Sequence, residues 1–387
     1  MNLIKNAKIL TMTDEKITDG IIIFDEKIRY VGEDLSKTEE FEIENTYDAC
    51  GAYVMPGMID AHCHLGMLED SLGFEGDDIN DDSDPITPHL RAIDAINPQD
   101  RCFFDALSSG VTSVVTGPGS ANPISGQFAA IKTYGNCIDD MIIKAPCAMK
   151  MSLGENPKAS YHSKNQMPLT RMGTAALIRE NLFKTVEYKE ALEKFNSNPD
   201  ENEKPEFDIK YEALIPVING EIPVKFHAHR SDDICTAIRI AKEFSLKYTI
   251  EHCTDGELIK DVLKRENAKV MLGPTLTDRS KPELKNKSFS TYKTLSDMGI
   301  DVSIITDHPE IPIEFLPLCV MLAVKNGMDK FKALKAVTIT AAKNCAIDER
   351  VGTIEIGKDS DIVVFDEFPT EFSSSVKDVF VNGKKVI

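Results

Sequence analysis

No apolar run in this 387-residue chain reaches the ~18 residues that a membrane-spanning helix needs. The opening stretch, MNLIKNAKILTMTDEK, places Lys5 and Lys8 where a secretory signal peptide would carry its apolar segment. A soluble, cytoplasmic protein is expected. Phosphate-cradling loops are missing as well. Neither GxGxxG nor GxxxxGK followed by Ser or Thr comes after a strand-like run, which argues against a nucleotide fold. Basic residues are short, 44 Lys and Arg against 63 Asp and Glu, for a net charge of −19. Such a surface repels nucleic acid and anionic membranes, so neither is expected as a partner. The nine cysteines lie singly, at 50, 63, 102, 137, 147, 235, 253, 319 and 345, with no CxxC pair. That pattern is neither a disulfide framework nor a zinc ribbon, and reads as buried thiols of a reducing compartment.

Apolar residues make up 42% of the chain, enough for a large core and against general disorder. At ~150 residues per domain the length fits two or three domains. One barrel of about 250 residues with a smaller module fits equally well. The runs NLIKNAKILTM, DGIIIFDEKIRYVG and TYDACGAYVM are β-rich and separated by turn residues. VGTIEIGKDSDIVVFD and VKDVFVNGKKVI near the other end look alike. Neither end can make a stable sheet alone, and together they predict one β-sandwich built from residues 1–54 and 347–387.

The middle, 55–346, alternates strands and amphipathic helices. Strands are expected at 54–64, 112–119, 224–229, 248–253, 269–275 and 302–308, and helices at 232–245 and 256–267. This alternation predicts an α/β fold with a parallel sheet, and its length suits a closed (β/α)8 barrel. Two insertions stand out. Residues 66–86 carry Glu69, Asp70, Glu75, Asp77, Asp78, Asp81, Asp82 and Asp84, read either as a solvated loop or as a lid that attracts cations. Residues 156–210 hold a helix over about 172–196 and a polar loop.

His62 and His64 sit two apart at the end of a strand, so both imidazoles share a face and can reach one metal. Pro56 and Gly57 permit the bend that feeds this strand into the barrel. His227 and His229 form a second pair in VKFHAHR, His252 ends YTIEHC, and Asp307 ends VSIITDH. Each lies at the C-terminal end of an expected strand, where barrel enzymes place their chemistry. Five of the eight histidines cluster this way. Taken singly, each reads more readily as a hydrogen-bonded core histidine. Neutral imidazole and carboxylate suit Zn²⁺, Mn²⁺ or Fe²⁺. Such an ion lowers the pKa of water to about 7, and Asp307 can carry the proton to a leaving nitrogen.

The run VMPGMIDAHCHLG resembles the opening motif of the amidohydrolase superfamily, and VGTIEIGKDSDIVVFD its closing motif. HAH, EHC and TDHP fall where that family places further ligands. The chain is most similar to imidazolonepropionase-related members. The resemblance covers nearly the whole chain. It implies a composite β-sandwich, a distorted (β/α)8 barrel and one or two divalent ions, Zn²⁺ foremost. It assigns His62, His64, His227, His252 and Asp307 as ligands, and leaves His229 facing substrate or supporting a ligand. Two-metal members bridge their ions with a carboxylated Lys or a Glu. AMKMSLGENPK offers both, and the reading favours Glu155 over Lys150.

The activity so implied is hydrolysis of an amide, cyclic amide or dipeptide-like C–N bond by a metal-activated hydroxide, with Asp307 and His229 as catalytic residues. Arg230 and His308 are the expected substrate-binding residues, with Arg171 a further candidate for a substrate carboxylate. The loop at 117–127 reads as turn chemistry that can also line the pocket. A deaminase on the same scaffold is the alternative. Deaminases of this superfamily usually carry Glu where this chain has Arg230, which counts against it. A metal-free scaffold protein is the third reading, and its mark would be missing ligands. A small-molecule substrate and a homodimer complete the expectations.

Overall fold

Two eight-stranded sheets organise the molecule, and the computed structural model describes residues 1–14, 17–70 and 73–387. The first sheet takes β1 (Asn2–Leu10), β2 (Ile17–Phe24), β3 (Ile28–Gly32), β4 (Asn45–Asp48) and β5 (Tyr53–Pro56) from the start of the chain. It takes β14 (Ile362–Phe365), β15 (Val376–Val381) and β16 (Lys384–Lys385) from near the end. The halves join where β14 pairs antiparallel with β5, Val364 lying opposite Val54. Ile4, Ile9, Ile22 and Phe24 pack with Ile362, Val364 and Phe380 in one core. The rings of Phe24 and Phe380 meet edge to face at 5.2 Å. Each half therefore supplies apolar surface that the other covers.

The second sheet is the barrel. Its strands are β6 (Met58–Cys63), β7 (Val111–Thr116), β8 (Ile124–Lys132), β9 (Ile142–Ser152), β10 (Val224–Ala228), β11 (Tyr248–His252), β12 (Lys269–Leu272) and β13 (Val302–Ile304). They pair in chain order from β6 to β13. Closure runs through the backbone: the Asp307 N–H donates to the His62 carbonyl at 3.2 Å, and the His64 N–H to the His308 carbonyl at 2.8 Å. One strand departs from the expected parallel sheet. β8 runs antiparallel to both β7 and β9. β7 ends at Thr116 and β8 begins at Ile124. A connection that short cannot make a parallel crossover, which needs a dozen or more residues. The last residues of the 117–127 loop are accordingly strand. Helices cover Arg171–Ser197 and Ser231–Glu243, close to expectation, whereas the segment from 256 forms a short 3₁₀ turn and then a helix at Lys260–Arg265. Among the described residues no helix is long and apolar enough to cross a membrane.

The chain crosses from one sheet to the other at Gly57. A Cβ built there would lie 1.9 Å from Thr112 Oγ1, so only glycine fits. A second tie is ionic. Asp359 is buried and contacts Lys132 Nζ at 2.9 Å and Arg350 Nη2 at 2.8 Å, with Lys27 on its other oxygen. Lys132 also pairs with Asp361. Lys27 belongs to the first sheet's β2–β3 turn and Lys132 ends barrel strand β8, so this cluster spans both units. Burial alone would raise the Asp359 pKa, but Lys132, Lys27 and Arg350 together hold it down at about 2.

The unfolded carboxyl titrates near 3.9, above the folded value. Its stabilisation is thus complete above pH ~4 and is lost as pH falls from ~4 to ~2, amounting to about 2 kcal/mol. Urea unfolding of wild type and Asp359→Asn across that window tests this. The stability gap between the two should narrow by about that amount. A gap independent of pH would remove Asp359 from the acid response.

Candidate metal centre and active site

Strand ends deliver the polar side chains to one mouth of the barrel. His62 lies on β6 and His64 just beyond it; His227 lies on β10 and His229 just beyond it. His252 closes β11, and Asp307 follows β13. All six are buried. Two groups of three form, His62–His64–Asp307 and His227–His229–His252, the ligand atoms in each lying within 4.8 Å of one another. Asp307 Oδ1 sits 3.4 Å from His62 Nε2 and 3.5 Å from His64 Nε2. That oxygen is buried and has no hydrogen-bond partner. An anionic acceptor aimed at two ring nitrogens without a proton between them is what a cation would resolve.

The other ring nitrogens fix the tautomers. His64 Nδ1 lies 2.6 Å from the Gly117 carbonyl, and His252 Nδ1 lies 2.8 Å from the Gly273 carbonyl. A carbonyl only accepts, so both Nδ1 atoms carry the proton and both Nε2 lone pairs are free for a metal. His229 Nδ1 meets Thr254 Oγ1 at 2.8 Å. His62 Nδ1 faces Glu251 Oε2 at 3.1 Å, and Lys225 Nζ lies 3.0 Å from the same oxygen. Beneath the histidines, Phe128 stacks on the His62 ring at 5.2 Å. Gly117 leaves room for it: a Cβ there would come within 2.2 Å of the Phe128 ring.

Protonation states agree with metal binding. Burial, and then Lys150 and Lys225, push His62 well below its usual pKa. Burial likewise brings His252 to about 4. Burial alone would raise the Asp307 pKa, but His252, His64 and Lys150 hold it below the usual carboxylate value. His62 and His252 are thus neutral and Asp307 charged at neutral pH. His252 and Asp307 hold φ of 70° and 56°, the left-handed region that non-glycine residues seldom adopt. Such backbone costs of order 1 kcal/mol per residue and collects at functional sites.

Lys150 lies on β9, in register with Lys225 on β10. Its Nζ is 3.1 Å from His62 Nε2, and the side chain is fully buried. Burial lowers its pKa to about 8 against the pull of Glu251 and Asp307. The structure does not bring Glu155, the favoured bridging residue, into this cluster. After Ser152 the chain turns through Gly154, at φ 86°, and Glu155 opens a helix. Glu155 joins neither ligand group and does not line the cavity. Its N–H donates to Glu283 at 3.2 Å, and Asn156 takes the place facing the histidines, its Nδ2 lying 3.5 Å from His227 Nε2.

A cavity of about 350 Å³ opens over the cluster, lined by His64, Lys150, His227, His229, His252 and Asp307 together with loop residues. That size suits a small molecule. The expected substrate-binding residues lie elsewhere. Arg230 is held by Asp232 at 2.8 Å, and Arg171 by Asp233 at 3.1 Å, both outside the lining. Each arginine finds a neighbouring carboxylate, which satisfies its donors before a substrate can. His308 is buried, and its Nδ1 accepts from the Ile313 N–H at 3.2 Å. It shapes the loop after Asp307 and does not line the cavity.

From the 117–127 loop, Gly119 and Ser120 line the cavity. From the acidic 66–86 loop, Leu68, Ile79 and Asn80 do so. Ser71 and Leu72 of that loop lie outside the described residues. None of its acids lines the cavity. Asp77 and Asp81 accept from backbone N–H groups of their own turns, Asp84 from Lys210, and Asp82 pairs with Lys164. They build the loop rather than a cation funnel. Sequence reasoning missed Glu251, Lys225 and Asn156. Lys225 carried a readable signal, because a lysine two residues before His227 shares its strand face.

The amidohydrolase family profile matches residues 218–386. A solved amidohydrolase structure from Thermotoga maritima MSB8 is 38% identical and superposes with a TM-score of 0.94, all of both chains being covered. The amidohydrolase tasK of Hapsidospora irregularis is 28% identical over 359 residues, 87% of this chain. The chain spans only 36% of that longer relative. The imidazolonepropionase of Thermoplasma volcanium is 37% identical over 111 residues, 26% of this chain and 27% of that protein.

Proposed function

Because this chain belongs to the amidohydrolase family, we propose that it is a metal-dependent hydrolase of a C–N bond in a small amide, cyclic amide or dipeptide-like substrate. One observation carries the reading: buried Asp307 Oδ1, unpartnered, lies 3.4–3.5 Å from the Nε2 atoms of His62 and His64. His62, His64 and Asp307 would hold one ion, Zn²⁺ before Mn²⁺ or Fe²⁺, and His227 and His252 a second. Lys150, carbamylated, would be the ligand shared between them. Its neutral amine adds to CO₂ and loses a proton, leaving a carbamate anion among the neutral imidazoles. This takes the bridging role from Glu155.

A divalent ion supplies Lewis-acid polarisation of the substrate carbonyl and makes water acidic enough to ionise near neutral pH. The chain's residues do the rest. Asp307 accepts the proton of the attacking water and delivers it to the leaving nitrogen. Glu251 Oε2 stands 3.1 Å from His62 Nδ1, and the Gly117 and Gly273 carbonyls hold His64 and His252 with their Nε2 atoms free. Thr254 fixes His229 beside them, where it can orient the substrate.

Elemental mass spectrometry on protein purified without chelators tests the proposal, with a hydrolysis screen of amides, lactams and dipeptides. Metal bound to every chain and a cleavage that chelation abolishes and metal restores are expected. Protein that takes up no metal after incubation would overturn it. Ammonia release from a heterocycle, with no cleavage in the amide panel, would point to deamination instead.

A further inference from the structure

We propose that Lys281 makes this cavity an anion-recognition site, so that the substrate carries a carboxylate. The inference rests on the hydrolase reading for the bond that is cut, but not for the anion that is bound. Two lysines line the cavity, and Lys150 is fully buried among the histidines. Lys281 keeps 38% of its side chain exposed at the cavity wall. Its donor to Asn156 Oδ1, at 2.7 Å, positions it. An ammonium only donates, so this contact fixes which end of the Asn156 amide is oxygen. The Nδ2 end then donates to Ser120 Oγ at 2.6 Å. Having accepted that bond, Ser120 keeps its own hydroxyl proton to give.

Asn80 extends the same wall. Its Oδ1 accepts from the Ala121 N–H at 3.1 Å, which leaves its amide protons to other acceptors. Its amide lies close against Gly119, where a Cβ would fall 2.4 Å from Oδ1. Lys281, Ser120 and Asn80 thus offer donors from separate loops into one cavity, an arrangement that fits a carboxylate. No carboxylate that lines the cavity pairs with the lysine among the described residues. Its ion-pair partner is Glu283, at the long distance of 4.0 Å, and that acid is buried and does not line the cavity. Exposed Glu310 does line it but makes no ion pair with Lys281 among the described residues. Arg230 and Arg171, the obvious cations by sequence, are already matched by Asp232 and Asp233.

The test is calorimetric titration of metal-loaded protein with N-acetyl amino acids and dipeptides, each against its C-terminal carboxamide. An Asp307→Asn background keeps the probe from being consumed. At least one carboxylate should bind about tenfold or more tighter than its amide, the worth of one charge-assisted bond. In Lys281→Met that preference should shrink to within about threefold, and Lys281→Arg should keep it. Metal content must be equal in all three, since a carboxylate that ligates the metal directly would keep its preference without Lys281. No preference in the Lys281 protein, or one that survives in Lys281→Met, overturns the proposal. Turnover of the same panel by protein with native Asp307 is scored separately. Binding that depends on Lys281 without any cleavage would sink the hydrolase reading and leave the anion site standing.

Discussion

Asp307→Asn is expected to lower turnover by about 10³-fold while leaving most of the bound metal in place. The substitution is nearly isosteric and keeps one oxygen that can face His62 and His64. It removes the charge and the basicity. The carboxylate is the buried group best placed to take a proton, because His252, His64 and Lys150 keep it ionised in spite of its burial. Paired assays of turnover and metal content decide its role. Unchanged turnover removes Asp307 from proton transfer. Loss of metal together with turnover makes it chiefly a ligand.

Lys150→Ala should have a comparably large effect by a different route. Truncation deletes the side chain that sits 3.1 Å from His62 Nε2 and would bridge the two ligand groups. Metal content should fall below that of the wild type, and turnover should drop by about 10²-fold or more, the usual scale for a lost metal-ordering group. Glu155→Gln should change neither, since Glu155 stands outside both groups. Native mass spectrometry adds an independent reading. The wild type should carry the mass of one CO₂ that acid removes and that Lys150→Ala lacks. Full metal occupancy in Lys150→Ala, or its loss in Glu155→Gln, would return the bridge to Glu155.

The histidines were legible because strand periodicity is simple. Residues 62 and 64, and 227 and 229, must share a face once each segment is extended. The composite first sheet was legible for a related reason: both ends read as β-rich runs flanking the alternating middle. What failed lies beyond periodicity. At the start of a helix one residue turns a side chain by about 100°, so Glu155 and Asn156 exchange places relative to the cavity. The antiparallel β8 hid behind glycines, prolines and serines that read as a loop. Arg230 was credited to a substrate although Asp232, two residues on, claims it. Lys281 sits on a loop between β12 and β13, where spacing says nothing about direction.

The seam between β5 and β14 also sets a timetable for the growing chain. Roughly 300 residues separate Pro56 from its partner Ile362. At ~5–20 residues per second, a ribosome needs about 15–60 s to cover that distance. Throughout, β5 shows an unpaired edge and Phe24 lacks the ring of Phe380. An open edge of that kind invites the wrong partner. The nascent protein thus carries this open edge from the time β5 is made until β14 is. A chain cut short before β14 would leave β5 without its partner and the first sheet without three of its eight strands.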